Sequence, residues 1–200
     1  MASTTQLKLL HQLVKIFKPT RVLEIGTFTG GSSISIASAL PVPTSSSPYK
    51  VVTLEIDPKA LKIAKNYAKK AKVDDRIEFI PGSALQSLHL LATERPEEQY
   101  DFIFIDADKG SYTSYYNFIM DQNLLSDRGI IIADNVLFYG QVHRQAGYEE
   151  MDNSYKDIPH DIIDLAKLAH SFNQRVLQDD RVEVVMLPLF DGISIITKKR

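Results

Sequence analysis

Residues 22–33, Val-Leu-Glu-Ile-Gly-Thr-Phe-Thr-Gly-Gly-Ser-Ser, constrain this chain more than any other stretch. A short apolar run, 22–25, reads as a buried parallel strand. It stops at Gly26, crosses a small turn and enters a helical pattern at Ser32. Gly26 lets the backbone turn sharply and brings peptide groups close to a ligand. Gly30 and Gly31 allow the same approach at the helix mouth, where free N–H groups and the helix dipole face outward. The spacing G-x-x-x-G-G differs from the dinucleotide fingerprint G-x-G-x-x-G, which argues against a nicotinamide dehydrogenase. Glu24 sits inside the strand just before the turn, where a pyrophosphate would be repelled and a cationic ligand attracted. A nucleoside ligand with a sulfonium and an ammonium but no phosphate fits, and S-adenosylmethionine is that molecule. The next apolar run ends in Glu55, a carboxylate at a strand tip able to accept two ribose hydroxyls. The bland alternative is a plain strand-turn-helix with no ligand.

The rest of the chain repeats the alternation. Helical spacing covers 5–17 (Leu7, Leu10, Leu13, Val14, Phe17), 33–40, a segment after the Asp57-Pro58 cap, 111–124 and 161–172. Leu85, Leu88 and Leu91 mark a shorter helix after the turn at 81–83. The Asp57-capped helix places Ala60, Leu61, Ala64, Tyr67, Ala68 and Ala71 on its apolar face, and its many lysines read as a solvated face. Strands fall at 22–25, 50–55, 76–80, 100–105, 130–133, 181–187 and 193–197. No helix separates the last two, so they should pair antiparallel. The expectation is one α/β domain over 1–200: a doubly wound, mostly parallel seven-stranded sheet with a C-terminal antiparallel hairpin. The 41–48 segment reads as a surface loop, and 140–157 as a lid or substrate loop.

Composition narrows function. The chain has 44% hydrophobic and 24% charged residues and a formal net charge of −2, so no basic footprint for nucleic acid exists. No apolar run reaches membrane-span length, and no signal-peptide pattern opens the chain. With no cysteine, disulfides, thiolate metal sites and cysteine nucleophiles are excluded, in keeping with a reducing, cytoplasmic setting. A small-molecule substrate is the expectation.

In open α/β sheets ligands bind beyond the carboxyl ends of the strands. Strand four ends in Phe104-Ile105-Asp106-Ala107-Asp108-Lys109, and strand five in Ile132-Ala133-Asp134-Asn135. If those strands are neighbours, Asp106, Asp134 and Asn135 meet at one edge. Three oxygen donors without His or Cys describe a hard-cation site, Mg²⁺ first, then Mn²⁺ or Ca²⁺. The alternative is that these acids only cap turns and helices. The five histidines, His11, His89, His143, His160 and His170, show no metal spacing.

Four blocks then carry a resemblance: residues 23–30, residues 101–109, Asp134-Asn135, and Met186-Leu187-Pro188 with Asp191-Gly192. They resemble the cation-dependent O-methyltransferases of the caffeoyl-CoA and catechol type, over nearly the whole chain. The resemblance implies the Rossmann-like class I methyltransferase fold. It implies that Glu24, Gly26, Phe28, Ser32 and Glu55 hold S-adenosylmethionine, with Ala84 by the adenine, Asp108 near the amino group and Asp106 beside it. Asp106, Asp134 and Asn135 would be the metal ligands, Lys109 with Asp106 the catalytic pair, and Tyr139 a residue facing a catechol-like, phenylpropanoid or flavonoid acceptor. Related enzymes carry a further helical segment before residues 5–17 that contributes to the acceptor pocket and the dimer contact. The acceptor pocket and a homodimer are therefore the expectations least supported by this chain. A methyltransferase-like binding protein without turnover is the rival reading.

Overall fold

The computed structural model describes residues 3–42, 50–147 and 159–199. Most of the expected surface loop at 41–48 and of the lid at 140–157 lies outside them.

Strands β1 (Arg21–Ile25), β2 (Lys50–Glu55), β3 (Ile77–Pro81), β4 (Tyr100–Ile105), β5 (Leu125–Asp134), β6 (Val182–Leu187) and β7 (Ile193–Lys198) form one sheet. Its order is β3-β2-β1-β4-β5-β7-β6. β1 to β5 pair parallel, and β7 runs antiparallel to both β5 and β6. The expected hairpin is therefore present, and the hairpin's second strand is the one inserted beside β5.

Helices α1 (Thr4–Phe17), α2 (Gly31–Ala39) and α3 (Pro58–Ala71) cover one face. There Leu10, Val14, Ile36 and Ala68 pack on Val22, Val51, Phe102, Phe104, Ile130 and Ile132. Helices α4 (Ala84–Glu94), α5 (Tyr112–Asp121) and α7 (His160–Leu177) cover the other. Leu88, Tyr112, Tyr116 and Phe172 pack there on Leu23, Ile25, Ile103, Ile105 and Ile131. Strand parity sorts the residues: alternate positions of each apolar run go to opposite faces, and both faces are dry. A one-turn helix, α6 (Val142–Gln145), was not expected from the sequence; four residues carry too little periodicity to show.

Local chemistry sets the element ends. Ser3 and Gln6 form a reciprocal capping box on α1, and Lys18 closes it in the left-handed region. Asp57 caps α3 by accepting from the Lys59 N–H at 2.8 Å. Tyr67 and Ala71, expected on the buried face of α3, are exposed, with the Lys70 ammonium over the Tyr67 ring. The buried stripe of α3 is narrower, Ala60, Leu61, Ala64 and Ala68, and Ala64 lies close against the Gly30 turn. Strand β5 starts five residues earlier than expected, since Leu125 pairs with Tyr100 across a bulge.

Candidate active site

The carboxyl ends of β1, β2 and β4 open into a cleft of about 660 Å³, a size suited to a small ligand. Gly26, Phe28, Ser32, Glu55, Ala84, Asp106 and Asp108 all line it. Gly26 is fixed by more than ligand access. Its φ is +104°, and a Cβ there would lie 2.1 Å from the Asp106 carbonyl oxygen. The glycine turn is thus pressed against the tip of β4, and the Gly26 N–H donates to the Leu54 carbonyl at the tip of β2. Gly30, φ +87°, presses likewise on Ala64 of α3.

Glu55 stands at the rim with both oxygens engaged. One accepts from the Phe28 N–H at 2.6 Å and the other from the Asp57 N–H at 2.8 Å. Each oxygen keeps a lone pair for a ligand hydroxyl. Asp108 accepts from the Tyr115 hydroxyl at 2.7 Å, a wall residue that sequence spacing did not single out.

Glu24 lies apart from the cleft lining. As strand parity requires, it faces α2, fully buried, directly across from Thr53 of β2. One carboxylate oxygen accepts from the hydroxyls of Ser33 and Thr53, the latter at 2.5 Å. The other, Oε1, has no hydrogen-bond partner among the described residues. Burial pushes its pKa up to about 7; the hydroxyls of Ser32, Ser33 and Thr53 hold it down in part, and the nearby Asp106 charge adds to the rise.

Beside the cleft, the β4 and β5 tips form a second corner. Ile105 pairs with Ala133, so Asp106 and Asp134 are the next residues of neighbouring parallel strands. Burial, and then the Asp106 charge, push the Asp134 carboxyl up to about 6. Its Oδ1 accepts from the Asn135 N–H at 2.8 Å, and its Oδ2 from the Gln6 side-chain amide. Asn135 adopts φ 54°, a left-handed conformation that asparagine tolerates. The Lys109 ammonium donates to Asn135 Oδ1 and to the Asp134 carbonyl, each at 3.2 Å, and to the Tyr112 hydroxyl. It also lies 4.1 Å from the Tyr112 ring centroid. Burial lowers the Lys109 pKa, opposed by the charges of Asp106, Asp134, Asp191 and Asp108.

The β6–β7 turn closes this corner. Asp191 accepts from the Tyr139 N–H at 2.5 Å. Its own carbonyl accepts from the Leu137 N–H at 2.9 Å. Tyr139 is 66% exposed, on a stretch where Phe138 and Tyr139 both have positive φ. Tyr139 is therefore held at the corner by its backbone, with its ring outward and outside the cleft lining.

The structure thus brings Asp106, Lys109, Asp134 and Asn135 together, and Asp106 joins corner to cleft. Sequence reasoning missed Gln6, Tyr112 and the part played by Asp191. The Ser-x-x-Gln capping signature was legible at Ser3, but its contact with a residue 128 positions away was not. No group of three His, Cys, Asp or Glu side chains clusters for a metal among the described residues; the corner's donors are two carboxylates and an amide.

The chain has relatives of known family. The O-methyltransferase family model matches residues 1–199. The chain belongs to the O-methyltransferase family. Caffeoyl-CoA O-methyltransferase of Populus kitakamiensis is 32% identical over 188 residues, covering 94% of this chain and 74% of that protein. Catechol O-methyltransferase domain-containing protein 1 of Mus musculus is 31% identical over 198 residues, covering 99% of this chain and 68% of the mouse protein. The SAH-bound crystal structure of the Podospora anserina methyltransferase PaMTH1 superposes with a TM-score of 0.83 at 31% identity, covering all of this chain and 80% of the other. The resemblance seen in the motifs and the class I methyltransferase fold are both borne out. Among the described residues no helix is long and apolar enough to cross a membrane.

Proposed function

We propose that this chain is an S-adenosylmethionine-dependent O-methyltransferase for small catechol-like, phenylpropanoid or flavonoid hydroxyls, assisted by a divalent cation. It would act as a single domain, and a homodimer is the assembly to test. The observation that carries the reading is the corner itself. The buried carboxylate of Asp134, the half-buried one of Asp106 on the cleft wall, an amide oxygen and a lysine of lowered pKa meet beside a nucleoside-sized cleft.

The donor set fits a hard cation. Asp106, Asp134 and Asn135 offer only oxygen. The rise in the Asp134 pKa from the Asp106 charge is the repulsion a cation would relieve. When bound, a Mg²⁺, Mn²⁺ or Ca²⁺ ion supplies Lewis acidity that lowers the pKa of a phenolic hydroxyl from about 10.

The chain's own residues do the rest. Glu55 would accept the ribose hydroxyls, Ala84 would lie against the adenine, and Asp108 would face the ammonium. Gly26, Phe28 and Ser32 would shape the bed of the methionine part. Glu24, buried one layer below, would act on that bed through Ser32 and Ser33. Lys109, whose pKa burial lowers, would take the hydroxyl proton at Nζ in its neutral form. The acceptor oxygen then displaces the thioether from the sulfonium methyl: the C–S bond breaks as the C–O bond forms. Fixing both reactants in adjoining pockets supplies much of the acceleration. Tyr139 would flank the acceptor from the rim.

The test is transfer of labelled methyl to a panel of catechols with Mg²⁺ and with EDTA. Transfer that falls to background in EDTA is expected, as is its loss in Asp134→Ala with S-adenosylmethionine binding retained. Cofactor binding without transfer on any acceptor would overturn the enzymatic reading, and EDTA-resistant transfer would overturn the role of the cation.

A further inference from the structure

The amide of Gln6 faces two ways. Its Oε1 accepts from the Ser3 N–H at 3.1 Å, while the Ser3 hydroxyl accepts from the Gln6 N–H at 3.3 Å. That is the capping box of α1. With Oε1 committed to Ser3, the amide NH₂ must point the other way, and there it donates to Asp134 Oδ2. Gln6 is buried, 7% exposed, although it lies in the first turn of a surface helix.

We infer that Gln6 is a positioning residue for the cation corner, tying the start of α1 to the Asp134 carboxylate; the inference rests on the cation-dependent reading above. A capping box accepts Glu or Gln at this position equally well. A glutamate would cap α1 and yet place a second carboxylate against Asp134 with no proton to share. Glutamine caps the helix and donates. With Asn135 N–H on Oδ1 and Gln6 on Oδ2, Asp134 is fixed in rotation, and each oxygen keeps a free lone pair directed elsewhere. Partners of this kind orient the ligands of a metal, and removing one costs 10- to 100-fold in metal affinity.

Two variants separate the two duties. Ser3→Ala removes one half of the cap and leaves the Asp134 contact; Gln6→Met keeps the side-chain volume and removes the donor together with the other half of the cap. Mn²⁺ alone is titrated into each full-length protein and free ion read by electron paramagnetic resonance, with thermal unfolding alongside. Ser3→Ala is expected to lower Tm and hold the Mn²⁺ Kd within about twofold. Gln6→Met is expected to raise the Kd by about 10- to 100-fold, beyond what the Tm change of Ser3→Ala produces. Equal Mn²⁺ affinity in wild type and Gln6→Met overturns the assignment while the cation reading stands. Equal weakening in Ser3→Ala assigns the effect to the helix cap and overturns it too. A wild-type chain that binds no Mn²⁺ overturns both.

Discussion

The cleft and the corner share Asp106 but are built by opposite means. The cleft is assembled locally: the Gly26–Gly31 turn, the Glu55 tip and the start of α4 are each contributed by a contiguous strand-turn-helix unit. The corner is made of side chains from four distant places. These are the first turn of α1, the β4–α5 junction, the tip of β5 and the β6–β7 turn. A site folded around a glycine turn fails when a Cβ is added where none fits. A side-chain-built site loses its chemistry with one functional group and keeps its shape.

Lys109→Met attacks that contrast hardest. If the corner alone carries the proton transfer, kcat falls by about 10²- to 10⁴-fold, while S-adenosylmethionine affinity, read by calorimetry, stays within about twofold. A parallel loss of cofactor affinity would show that the two regions are one structural unit. Gly26→Ala makes the reverse cut. Its added methyl would sit against the Asp106 carbonyl at an unfavourable φ, so a stability loss on the order of 4 kcal/mol is expected in urea unfolding. Unfolding within about 1 kcal/mol of wild type would mean that the β1 and β4 tips are free to part.

The same contrast explains what the sequence could disclose. Strand runs such as 102–105 and 130–133, the glycine turn and the Asp57-Pro58 cap are local patterns, and the sheet, its antiparallel end and the cleft follow from them. The meeting of Asp106 and Asp134 was legible because both close neighbouring parallel strands. Gln6 and Asp191 were not: the amide reaches its carboxylate, and the turn its loop, only after the whole sheet has formed. Tyr112 looked like any aromatic on a helix, yet its hydroxyl receives Lys109 and reaches the Ile105 and Asp134 carbonyls at 3.1 and 3.2 Å. Glu24 shows parity at work against proximity. Next to the turn in sequence, it is turned by the strand's alternation toward α2 and below the cleft.

Glu24 also offers the finest test of how separate the two regions are, because Asp106 is one cause of its raised pKa. Its folded value is about 7 against an ordinary 4.5. Between those values the folded state holds a proton that the unfolded chain releases, so this carboxyl makes stability fall as pH rises from 4.5 to 7 and level off above. The shift corresponds to roughly 3 kcal/mol at full effect. Asp134, also raised, adds a fall of the same sign, so the measurement is the difference between proteins. Glu24→Gln, stable or not in absolute terms, should show a shallower decline in urea-unfolding free energy over that window than wild type. Asp106→Asn should flatten the decline as well, weakly through Glu24, on which burial acts most and the Asp106 charge least, and further through Asp134, whose carboxyl that charge also raises. Identical slopes in wild type and Glu24→Gln would mean that Glu24 is ionised throughout, with its unpartnered oxygen satisfied by water, and that the floor of the cleft is wet.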